Sequence, residues 1–133
     1  MGAEGTDPAA GLPDIRTDAD VHRLVERFYE KAPADPLIGH FFAGLDLSAH
    51  VPRIAAFWQR LLLVSGDYQG EPMSVHRRLH ARLPMEAEHF ERWLALWSAT
   101  VREHFQGTKA DEAIDRAGSI ARVMMHHVLG RLL

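Results

Sequence analysis

With 133 residues, 47% apolar and 25% charged, the chain can bury one sizeable core, and no apolar run approaches the ~18 residues of a membrane span. A formal net charge of −3 supplies neither a basic footprint for nucleic acid nor a polybasic patch for a membrane surface. The lack of cysteine excludes disulfides, thiolate chemistry and cysteine-based zinc or iron–sulfur sites, and nine histidines beside it turn the search toward nitrogen ligation.

Residues 1–16 are rich in Gly, Ala, Pro and Asp and lack periodicity, so they read as a disordered arm, with 17–133 as the one folded domain. The start of the chain is acidic and carries no hydrophobic segment, which does not read as a secretory signal. Together with the missing cysteines this makes the cytoplasm the expected compartment.

Thr17 or Asp18 opens the first helix, with Asp20 placed as in a capping box. Val21, Leu24, Val25 and Phe28 make its apolar stripe, and Tyr29 sits beside Phe28. The segment Lys31-Ala32-Pro33-Ala34-Asp35-Pro36 ends it, because a residue before proline is pushed out of the helical region. Residues 37–42 are a brief apolar turn, read as a single helical turn. A second helix starts near Ser48, with His50, Ile54, Phe57, Trp58, Leu61 and Leu62 on one wide stripe. Pro52 falls in its first turn, where a missing N–H costs little. Ser65-Gly66-Asp67 is the expected stop.

Met73 to Leu83 follows a Pro72 turn and is closed by Pro84, a short isolated helix. His76, Leu79, His80 and Leu83 share its apolar face, while Arg77, Arg78 and Arg82 take the other. A long helix runs from about Met85 to Phe105 with Phe90, Trp93, Leu94, Trp97 and Val101 inward, and Gly107 stops it. The last helix, roughly Lys109 to Leu132, presents Ala113, Ile114, Ala117, Ile120, Ala121, Met124 and Val128. No stretch alternates with period two, so the fold class is all-α.

Polar groups interrupt these apolar stripes at Tyr29, His50 and His76, with His80 one turn further on, and Trp93 adds an indole N–H. Each alone is more often a core residue with a satisfied hydrogen bond. No stripe contributes a carboxylate, which excludes a di-iron carboxylate bundle. A hydrolytic zinc site is also excluded, since His76 and His80 have neither a third ligand nor a neighbouring general base. A single imidazole opposite an apolar pocket with a few donors is what a haem iron requires. The rival from another class is a cofactor-free helical interaction domain whose histidines are structural.

Several ordered stretches carry a resemblance. They are Phe28-Tyr29-Glu30-Lys31; Asp35-Pro36-Leu37 with Phe42; His50 followed by Phe57-Trp58; Tyr68-x-Gly70-x-Pro72-Met73-x-x-His76; His89-Phe90-x-Arg92-Trp93-Leu94; and Phe105-x-Gly107 followed by Arg116-Ala117. From about residue 20 to 130 the chain resembles the group III truncated haemoglobins. The resemblance implies a truncated globin, a two-over-two helical sandwich around one haem b. It implies His76 as the metal ligand on the proximal side, with His80 as the alternative one turn away, and Tyr29, His50 and Trp93 as the distal, ligand-binding set. Phe42 would pack on the haem face, Ile54 would line the pocket and Arg53 could reach a propionate. The expected partners are a diatomic gas and, because the chain offers no strand–Gly-rich-turn–helix unit for a flavin or nicotinamide, a separate reductase for any NO dioxygenase or peroxidase-like turnover. A monomer is expected, with no nucleic-acid or membrane partner.

Overall fold

The structure, a computed structural model, describes residues 11–63 and 85–129, the side chains of 127–129 excepted. The expected His76 helix, with both candidate ligands His76 and His80, lies outside the described residues, as do the Ser65-Gly66-Asp67 stop and the Val128 side chain.

Helix α1, Asp18–Lys31, begins at a reciprocal cap. The Thr17 hydroxyl accepts from the Asp20 N–H at 3.1 Å, and the Asp20 carboxylate accepts from the Thr17 N–H, also at 3.1 Å. Its buried face is Val21, Leu24, Val25, Phe28 and Tyr29. Pro33 then tightens the chain into a 3-10 turn, Ala32–Ala34, and a second 3-10 turn follows at Gly39–Phe42. Helix α2, Leu47–Leu63, is opened by Asp46, whose carboxylate accepts from the Ser48 N–H at 3.1 Å. Helix α3, Ala87–His104, and helix α4, Thr108–Leu129, are joined by only Phe105, Gln106 and Gly107, so α4 must turn back on α3. No strand occurs among the described residues, in line with the all-α expectation.

The helices pack as two pairs, α1 on α2 and α3 on α4, and α1 and α3 bring the pairs together. Aromatic rings make that joint. Trp58 of α2 stacks on Trp97 of α3 at 4.6 Å and 20° between planes, Trp93 lies parallel to Trp97 at 6.4 Å, and Phe28 of α1 sets its edge against Trp97 at 5.5 Å. Trp97, Phe28, Leu24 and Val101 are essentially inaccessible to water. Alanines 113, 117 and 121 are buried and let α4 approach closely, and Met85, Phe90, Met124 and Met125 form a separate cluster.

The arm expected over 1–16 is too long at its inner end. Ile15 is 1% exposed and belongs to the main core. Asp14 reaches the start of α4, where its two oxygens accept from the Lys109 N–H at 3.0 Å and the Ala110 N–H at 2.9 Å. Those donors have no partner within their own helix, so a carboxylate there is held by hydrogen bonds and by the helix dipole together. Gly107 makes room for it, since at φ +139° a Cβ would lie 2.5 Å from the Asp14 Cγ.

Candidate distal pocket

Tyr29 stands at the end of the buried face of α1, and His50 stands in the first turns of α2. The packing of these two helices closes the gap between them to a hydrogen bond, Tyr29 Oη to His50 Nε2 at 2.9 Å. The rings are nearly perpendicular with centroids 5.1 Å apart. Burial raises the Tyr29 phenol well above its ordinary value, because the phenolate would lose its hydration. Tyr29 therefore keeps its proton at any physiological pH and is a hydrogen-bond donor there.

Which way the proton points depends on the imidazole. If His50 Nε2 carries hydrogen, it donates to the phenol oxygen and leaves the phenol hydrogen free for a third group. If Nε2 is bare, the phenol donates to it instead. The tautomer of His50 thus decides whether the Tyr29 proton faces the imidazole or a third group.

Phe42, at the end of the second 3-10 turn, sets its ring against Tyr29 at 5.6 Å and 82°. Phe28 touches both sides of the site, with Tyr29 at 5.1 Å and Trp93 at 6.5 Å. Of the three indoles, Trp97 donates to the Ala113 carbonyl at 3.2 Å, while Trp58 and Trp93 have no acceptor among the described residues. Trp93 is the half-buried one of these two, and no described residue accepts from its N–H. Ile54, Phe57 and Leu61 on α2 are also only half-buried, each packed on the core by one side.

The described residues therefore bring Tyr29, His50 and Phe42 together directly and join Trp93 to them through Phe28. Ile54 lies one turn along α2 from His50, on the stripe expected of it. Arg53 is exposed. The donor set fits the distal half of a haem site: one phenol that keeps its proton, one imidazole on that phenol, one indole without an acceptor among the described residues, and apolar surface around them. Among the described residues no group of three or more His, Cys, Asp or Glu could hold a bare metal ion. No helix among them is long and apolar enough to cross a membrane.

Two residues that sequence reasoning gave no role are Asp35 and Arg92. The Asp35 side chain is 2% exposed, and both of its oxygens accept from Arg92 Nε at 2.8 and 2.9 Å. An aspartate held before a proline in an apolar turn was the available signal, but nothing local names a partner 57 positions away.

The chain is similar to known proteins over most of its length. The profile of the bacterial-like globins matches residues 14–127. A group 3 truncated haemoglobin of Campylobacter jejuni is 31% identical over 107 residues, covering 76% of this chain and 82% of that protein. The crystal structure of a group III truncated haemoglobin from Campylobacter jejuni superposes with a TM-score of 0.79 at 28% identity, covering 88% of this chain and 94% of the other. The 2/2 haemoglobin of Synechococcus, solved in the cyanomet state with covalently attached haem, gives 0.74 at 23% identity over 86% and 93% of the two chains, a likeness of fold.

Proposed function

The chain belongs to the bacterial-like globins as a truncated haemoglobin of the third group, and from that premise we propose that it holds O₂ or another diatomic gas at a haem b, in redox chemistry rather than bulk transport. Haem, when bound, supplies the iron at which the gas is held and the electrons are exchanged. His76 is the proximal ligand in this reading, with His80 as its alternative. Phe42 and Ile54 bound the pocket, and Arg53, exposed one turn from His50, is the residue for a propionate.

The remaining work falls to hydrogen-bond donors. Tyr29 presents a phenol proton that burial keeps in place. His50 decides whether that proton faces the ligand, and Trp93 offers its indole N–H from the other side. The observation that carries this reading is the 2.9 Å Tyr29–His50 pair set among half-buried aromatic and aliphatic side chains. A structural tyrosine would need only the acceptor. It would not need a second donor nearby, and Trp93, with no acceptor among the described residues, is one.

Two measurements test it. The protein reconstituted with haem should give a Soret band at a stoichiometry of one. His76→Gly should lose haem or need added imidazole to keep it, while His80→Gly should leave binding intact. Imidazole dependence in His80→Gly instead would move the ligand by one helical turn.

A further inference from the structure

The two proposed donors come from different helices, Tyr29 from α1 and Trp93 from α3, so something must set their separation. Phe28 lies against both residues, and a second piece of chain reaches both helices. The corner from Ala32 to Phe42 is folded tightly on itself: the Asp35 N–H donates to the Ala32 carbonyl at 3.1 Å and the Gly39 N–H to the Asp35 carbonyl at 2.8 Å. Gly39 lies so close to Pro33 that a Cβ would be 2.5 Å from the Pro33 oxygen. At its end, Phe42 abuts Tyr29.

Along its length the corner meets α3 at two residues, His89, which His40 also faces at 5.8 Å, and Arg92. Phe41 sets its ring against His89 at 5.0 Å, and Asp35 takes Arg92 Nε astride its two oxygens. His89, Arg92 and Trp93 fall at i, i+3 and i+4, one face of a helix. Trp93 therefore stands on the same face that the corner holds, next in sequence to the arginine it clasps. The carboxylate is nearly out of water at 2% exposed, whereas the guanidinium side chain is 44% exposed. Such a carboxylate is poorly solvated without its partner, which makes the contact hard to release.

We propose that the Asp35–Arg92 pair is a latch that positions Trp93 against Tyr29, so that both donors meet one ligand. Asp35 and Arg92 are positioning residues and touch no ligand themselves. The proposal rests on the distal reading of Tyr29 and Trp93.

The test uses Arg92→Gln, Asp35→Asn and the double variant, which removes both charges and is the form to rely on if a single variant fails to fold. Asp14→Asn serves as a destabilised control remote from the pocket. In the haem-loaded protein, the latch variants should speed O₂ dissociation several-fold and split or broaden the stretching band of bound carbon monoxide, and Asp14→Asn should do neither. In a Trp93→Phe background the same variants should no longer change the dissociation rate. In ¹⁵N-labelled protein the Trp93 indole resonance should shift or broaden in the latch variants, while that of Trp97 should hold. A fall in thermal stability with the carbon monoxide band, the dissociation rate and the Trp93 resonance all unmoved would overturn the latch. A moved resonance with no effect of Trp93→Phe itself on dissociation would instead overturn the distal reading, and the positioning role with it.

Discussion

At the scale of single residues, the Tyr29 phenol is the group whose chemistry is most constrained. A net hydrogen bond contributes about 0.5–1.5 kcal/mol, so Tyr29→Phe should shorten the lifetime of the O₂ complex by roughly two- to tenfold. Trp93→Phe should act in the same direction, and the double variant should fall short of the sum if both donate to one ligand. Stopped-flow displacement of O₂ reads all three, and unchanged rates in both single variants would remove these residues from the distal role. The raised phenol also carries a pH signature. Because burial holds the folded-state value above the ordinary value of about 10, tyrosinate absorption from Tyr29 should be missing from a titration of the folded protein near that pH. The sign for stability follows: the contribution is fully present below the ordinary value and is lost as pH rises through the folded one. A difference titration between parent and Tyr29→Phe checks this. A phenol ionising near pH 10 in the folded parent would contradict the burial argument.

At the scale of elements, the ends of helices hold the pieces in register. Asp14 caps α4 from nearly a hundred residues away. Burial alone would raise its carboxyl, but N–H groups of Lys109, Ala110 and Ile15 outweigh that, and the net shift is downward. Replacing Asp14 with Ala should cost about 0.5–2 kcal/mol, the usual range for losing a cap. With the folded value depressed, the contribution of the carboxylate is present above the unfolded value of about 4 and disappears as pH falls through the folded one. Urea unfolding of parent and variant at pH 7 and near pH 3 should therefore show a gap that narrows in acid. An equal gap at both would assign the loss to packing rather than charge. The correction to the expected arm belongs to this scale too: Asp14 looks like a loop residue because its partners lie on a helix that its neighbours do not reveal, and Ile15 enters a core built by distant residues.

At the scale of the whole molecule, the described helices are engaged in packing against one another, around a main core and a smaller cluster of Met85, Phe90, Met124 and Met125. A module that reduces the site needs its own cofactor fold, a strand leading through a glycine-rich turn into a helix, and the sequence offers no such unit. NO consumption by the O₂-loaded protein, with NADH or NADPH but no second protein, should stop after about one equivalent per haem. Adding a reductase or a chemical reductant should extend it. Sustained turnover by the pure protein would show that the chain takes electrons directly from the nicotinamide.

The sequence by itself determined the helical class, the reciprocal cap at Thr17 and Asp20, the stripes that hold Phe28, Trp58 and Trp97, and the polar interruptions at Tyr29, His50 and Trp93. These are legible because a 3.6-residue period and a cap are written in side chains a few positions apart. Only the tertiary structure decided that Tyr29 meets His50, that Asp35 is clasped by Arg92, that Asp14 closes α4, and that Trp93 is only half covered. Each of those pairings joins residues 21 or more positions apart. It depends on which helix faces come together when the whole apolar surface is buried at once, and no local pattern encodes that choice.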